Sequence, residues 1–208
     1  LYFMLGLPTE TDEDVAAIAE LVNKIVYCWR QNATNKKRRL SINLATAFFV
    51  PKPFTPFQWE KQTSPEEYLR RVHLLQSCLT ARGVDYRYHE SDLSRLEAVL
   101  ARGDRRLSKV LLRAHALGCK LDGWDEYFRY DLWMQAFSDC GVDPEFYTTR
   151  GFAEDEILPW QTIDIGVSRD FFLRERALAY ESVTTPDCRT KCAGCGAWSL
   201  SERGVCDE

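Results

Sequence analysis

The chain has 208 residues, 45% hydrophobic and 12% aromatic, enough to bury one large core or two small ones. Its formal net charge of −4 excludes a globally basic nucleic-acid binder and leaves only local basic patches for that role. No stretch approaches the roughly 20 apolar residues that cross a bilayer, and no basic leader with a small-residue cleavage site is present. The expectation is a cytoplasmic protein with no membrane contact.

Leu1 to Leu7 is an apolar run of strand length that ends at Gly6-Leu7-Pro8, as in a strand buried on both faces of a parallel sheet. It starts abruptly, so the chain reads as a piece of a longer protein. Thr11 before Asp12, Glu13 and Asp14 predicts a helix cap with acids in the first turn. Val15, Ile18, Val22, Ile25, Val26 and Trp29 then form one stripe, and the helix should stop near Asn32. The basic run Lys36-Lys37-Arg38-Arg39 is expected to be a solvated connection rather than a phosphate site.

Leu40 to Val50 alternates as a second strand. Leu40, Ile42, Leu44, Thr46, Phe48 and Val50 suit packing against helices. Ser41, Asn43, Ala45, Ala47 and Phe49 share the other face, which reads as small and partly polar, with room for a ligand inside a barrel. Strand, capped helix and strand form a β-α-β unit with a right-handed crossover, too little for a domain by itself. The loop Pro51 to Trp59 follows the second strand, at the end that carries the active site in α/β barrels, and equally suits a rigid cap over that end.

From Ser64 the pattern turns helical. Ser64-Pro65-Glu66-Glu67 predicts a capping box, Tyr68, Leu69, Val72, Leu75 and Leu79 a buried stripe, and Gly83 a C-terminal stop. Val84 to Tyr88 alternates as a short strand. Helices are expected over 92–101, 104–117, 125–139 and from Ser168 to about Tyr180. Asp104 suits a helix cap, as do the acids Asp122, Asp125 and Glu126; a grip of Arg102 to Arg106 on an anionic substrate is the alternative at the first. His73, His89 and His115 lack partners at ligand spacing, and no hydrolase triad, P-loop or zinc-protease motif occurs.

Cys28, Cys78, Cys119 and Cys140 are scattered through helical patterns, as small buried residues are. Cys188, Cys192, Cys195 and Cys206 instead crowd together near the chain's end. In a reducing compartment such a group favours metal over disulfides. Four thiolates make a closed site, and Gly194 and Gly196 permit the tight turns of a metal knuckle. The spacing suits zinc and an auxiliary iron–sulfur cluster alike.

Two segments carry a family resemblance. FMLGLPTETDEDV (3–15) resembles the fifth-strand segment of radical S-adenosylmethionine (SAM) enzymes, in the branch that also carries a B12-binding (cobalamin) domain. FFVPKPFTPFQW (48–59) resembles the sixth-strand segment and loop of that branch. LSRLEAVLARGDRRL (93–107), CKLDGWDEYF (119–128) and TPDCRTKCAGCG (185–196) resemble the C-terminal region of one uncharacterised family within it.

The resemblance implies an α/β fold in which residues 1–60 end a partial radical SAM (β/α) barrel. A mainly helical extension over 61–150 and a C-terminal region over 151–208 with the Cys-rich tail would follow. It also implies that Gly6, Leu7 and Glu10 touch the adenine and ribose of SAM, and that Asn43 and Ala45 border the adenosyl group. The parent enzyme would hold a [4Fe-4S] cluster on three cysteines that follow the first barrel strand. No such segment lies in this chain, so it is expected to be inert alone, with the missing N-terminal part of the same protein as its partner and any cobalamin bound there. A module from another class is the alternative, in which a zinc knuckle recognises protein or RNA. The basic clusters permit RNA, and the acidic balance does not favour it.

Overall fold

Apolar runs and capped helices alternate along the first 88 residues, and they fold as that order requires. A computed structural model describes residues 1–35 and 37–197. Three strands, β1 (Tyr2–Leu5), β2 (Ile42–Phe48) and β3 (Val84–Tyr88), form a parallel sheet in the order β1-β2-β3. Helix α1 (Asp12–Asn32) links the first pair and α2 (Pro65–Cys78) the second.

Local signals set the helix starts. Thr11 Oγ1 accepts from Asp14 N while the Asp14 carboxylate accepts from Thr11 N, a complete capping box. At α2 only half of the expected box forms: Ser64 Oγ accepts from Glu67 N, whereas the Glu67 carboxylate turns to Arg70 and Arg71. Gly83 does not stop this helix, which ends at Cys78. Gly83 has φ +88° and opens β3, and its carbonyl accepts from Ile42 N at 2.8 Å.

Both helices cover the same sheet face. Leu5, Ile42, Leu44 and Phe48 from the strands pack with Val15, Val22 and Val26 of α1 and Tyr68, Val72 and Leu75 of α2. Phe48 and Tyr68 stack with ring centroids 4.1 Å apart. This core continues past residue 60, the boundary expected between barrel and extension, through to Tyr88.

A second core joins α3 (Ser91–Arg102), α4 (Leu107–Leu117) and α5 (Tyr130–Asp139) through Leu96, Val99, Val110, Trp133 and Phe137. Arg106 takes the N-cap position of α4, and Asp104 caps the turn just ahead of it: its carboxylate accepts from Arg106 N at 2.8 Å and also pairs with the Arg106 guanidinium at 2.7 Å. Asp122 to Glu126 lie in turns, and α5 begins only at Tyr130. A third cluster gathers Trp59, Phe152, Leu158, Trp160 and Phe172, the last from α6 (Arg169–Tyr180), a helix expected over this span and capped by Ser168. The described residues are thus α/β, with six α-helices and one small parallel sheet, and none of those helices is long and apolar enough to cross a membrane.

Candidate functional site

A parallel sheet ordinarily has helices on both faces. Here the face opposite α1 and α2 is open. Tyr2 and Met4 on β1, Asn43 on β2, and Asp85 and Arg87 on β3 are exposed, while Ala45 and Ala47 between them are half-buried. The pairing Tyr2 with Ala45 and Met4 with Ala47 puts large side chains beside small ones on this face.

Gly6 begins the turn at the C-terminal end of β1 with φ +91°. A Cβ there would come within 3.2 Å of the Phe48 ring, so both conformation and space call for glycine. Glu10 holds the turn: its Oε2 accepts from Gly6 N at 2.8 Å and from Arg71 Nη1, and its side chain is only 5% exposed. Glu10 is thus no solvated loop acid. Arg71 also donates to Glu67 at 2.9 Å, and Arg70 joins Glu67 to Asp12.

The electrostatics follow this chain of alternating charges. Hydrogen bonding from Arg70, helped by Arg71 against a smaller burial cost, pulls the Glu67 carboxyl down to about 2. Burial works against the charge on Arg71, but the Glu67 and Glu10 carboxylates outweigh it and leave its guanidinium more strongly protonated than usual. Spacing could have revealed Glu67 with Arg70 and Arg71, at three and four residues on a helix. The link from Arg71 to Glu10 spans 61 residues and is tertiary.

The five residues that the resemblance assigns to SAM fall into two groups. Gly6, Leu7 and Glu10 lie at the C-terminal end of β1. Asn43 pairs with Asp85, and its carbonyl accepts from the amino group of Leu1, near the opposite end of the sheet. Ala45 sits mid-sheet beside Tyr2, and Ala47 is the β2 residue of the open face nearest the turn. The Gly6 amide is already engaged by Glu10, and the glycine itself is buried.

The Pro51–Trp59 loop is anchored rather than free. Gln58 Oε1 accepts from Trp160 Nε1 at 2.7 Å and from Phe54 N at 3.2 Å, and Trp59 O accepts from Phe152 N. A cavity of about 240 Å³ opens between this loop and residues 156–172, walled by Phe54, Trp59, Trp160 and Phe172. The loop acts there as a rigid wall.

Near the chain's end, Gly194 N donates to Cys192 Sγ and Ala197 N to Cys195 Sγ, each at 3.4 Å. Gly194 and Gly196 have φ +64° and +95°. The Cys195 carbonyl accepts from Ser168 N at 2.8 Å, which docks this turn on the start of α6. Backbone N–H groups aimed at sulfur fix the direction of the side chain, as they do around metal-bound cysteines. Cys188 is exposed, and Cys206 lies outside the described residues. Among the described residues no group of three or more His, Cys, Asp or Glu side chains is arranged to hold a metal ion.

No family model matches the chain, and no solved structure does. It is similar to an uncharacterized protein of Methanocaldococcus jannaschii, with 31% identity over 142 residues. That match takes in 68% of this chain and 29% of the relative, so the chain spans less than a third of that protein's length.

Proposed function

We propose that this chain is the C-terminal portion of a radical SAM iron–sulfur enzyme, comprising the last barrel strands, a helical extension and a thiolate metal site. The open face of the parallel sheet carries the reading. Helices cover one side, as on the outside of a barrel, and on the bare side Ala45 and Ala47 of β2 form a small strip between larger residues of β1 and β3. The turn that the resemblance assigns to SAM stands at the C-terminal strand end, where α/β sheets bind ligands.

When bound, the reduced cluster would supply the electron that cleaves the sulfonium bond of SAM. The residues of this chain would position the cofactor. The Gly6 turn, kept in its left-handed conformation by Glu10 and Arg71, would border the adenosyl group. Ala45 and Ala47 would leave room beside it. Cobalamin enters through the resemblance alone and would belong to a domain outside this chain.

The test is made on the natural protein in full, purified without oxygen. Its reading frame is expected to contain Cys-x3-Cys-x2-Cys upstream of this segment, and the reduced protein to convert SAM to 5′-deoxyadenosine. A frame without that segment, or a loaded protein that leaves SAM intact, overturns the reading.

The two N–H···S bonds favour a second reading on their own account, a binding module built on a zinc knuckle. Colourless protein with zinc on Cys188, Cys192, Cys195 and Cys206, and no iron elsewhere, supports it. Brown protein with iron and sulfide at those cysteines supports an auxiliary cluster.

A further inference from the structure

Most arginines of this protein hold carboxylates: Arg70 holds Asp12, Arg113 Asp139, Arg129 Asp131 and Arg176 Glu60. Others do not, and four of these, Arg30, Arg38, Arg39 and Arg82, line one groove of about 530 Å³ among whose described lining residues there is no acid. Among the described residues none of the four has a carboxylate at ion-pair distance.

They converge from three separate segments: the last turn of α1, the connection into β2, and the turn between α2 and β3. This is not a run of charge in one loop. Gly83 fixes the meeting point, because a Cβ on it would lie 2.7 Å from the Leu40 carbonyl, and its own carbonyl holds Ile42 N. Close backbone contact therefore brings Arg82 beside Arg38 and Arg39. Gathering like charges costs free energy that an anion would recover.

Aromatic rings stand with the cations. Trp29 lines the groove, and Tyr27, 66% exposed, lines the adjoining hollow with Arg30 and Arg82. Cations gathered beside aromatic rings form the kind of surface that binds single strands. A duplex hides its base faces, and a lone phosphate has no use for the rings.

We infer that this groove binds a single-stranded polynucleotide, its phosphates on the arginines and a base against Tyr27 and Trp29. The inference does not rest on the cofactor reading. The groove lies at the N-terminal ends of β2 and β3, opposite the Gly6–Glu10 turn.

The experiment is fluorescence anisotropy of the 208-residue chain with labelled ten-residue oligouridylate and oligothymidylate, at several salt concentrations. If four phosphates are neutralised, log K should fall against log salt with a slope of about −3, from roughly −0.7 per contact. Tighter binding of the uridylate assigns RNA, and tighter binding of the thymidylate assigns DNA. The exposed pair Arg38→Ser with Arg82→Ser should halve the slope and leave thermal melting unchanged. Tyr27→Ala should weaken binding about fivefold or more through lost stacking. Arg30→Ser with Arg39→Ser serves as the second charge variant if the first pair alters melting. Absence of saturable binding at low salt, an unchanged slope in both arginine pairs, or equal competition by duplex or inorganic phosphate overturns the inference.

Discussion

Replacing Glu10 by alanine removes the acceptor of the Gly6 amide and one of the two carboxylates that hold Arg71. A hydrogen bond to a charged group contributes roughly 1.5–3 kcal/mol, and breaking a fully buried ion pair costs about 3–5 kcal/mol. The second figure is too high here, because Arg71 keeps Glu67 at 2.9 Å and remains 13% exposed. The expected loss is therefore about 2–3 kcal/mol, or roughly 4–12 °C in Tm for a chain of this size. Glu10→Gln keeps an acceptor for Gly6 N without the charge, and should lose about half as much. Urea unfolding of Glu10→Ala, Arg71→Met and the double variant gives the coupling, expected at about 1 kcal/mol or more. Amide exchange at Gly6 should quicken, since its left-handed turn loses its brace. Loss below about 0.5 kcal/mol with no coupling would refute the view that this carboxylate organises the turn.

Two further outcomes are expected. Arg70, with Arg71 in support and burial opposing, lowers the Glu67 carboxyl from 4.5 to about 2, so the folded state binds its proton less readily than the unfolded one. Its contribution is complete above pH 4.5 and fades as pH falls toward 2; Glu67→Gln should flatten the pH dependence of unfolding in that window, and an unchanged profile would show that the carboxylate is not the source. Arg102 is fully buried, with its guanidinium 4.3 Å from the Phe152 ring centroid and its Nε and Nη2 without partners. Burial, then repulsion from Arg150, pulls its pKa down to about 10. Arg102→Met should accordingly be neutral or stabilising by about 1–2 kcal/mol in urea unfolding, and a loss beyond about 2 kcal/mol would mean that the charge has a partner.

Much of the architecture was legible in the sequence because its signals are local. Thr11, Ser64 and Ser168 cap the helices they precede, since a hydroxyl three residues ahead of a free N–H needs nothing from the rest of the chain. The alternation of β2 placed its buried and open faces correctly, because a strand's period of two depends only on its own backbone. Signals failed where the rest of the chain intervened. The acids Asp122, Asp125 and Glu126 lie in turns ahead of α5, and Gly83, a credible helix stop, serves instead where two loops touch.

The candidate sites divide in the same way. Gly6 at a strand end and the closely spaced Cys192 and Cys195 were visible in sequence because neighbours in the chain build both turns. Tertiary structure alone joined Glu10 to Arg71, set Asn43 far from Gly6 along the sheet, and left one sheet face bare. It also brought Arg82 beside Arg38 and Arg39. By itself the sequence determined the elements, their caps and the chemistry each segment carries, because hydrogen bonds within a few residues decide those. Which of these groups meet was decided by packing, since only the burial of α1 and α2 on one side of the sheet brings residues forty to sixty positions apart within reach.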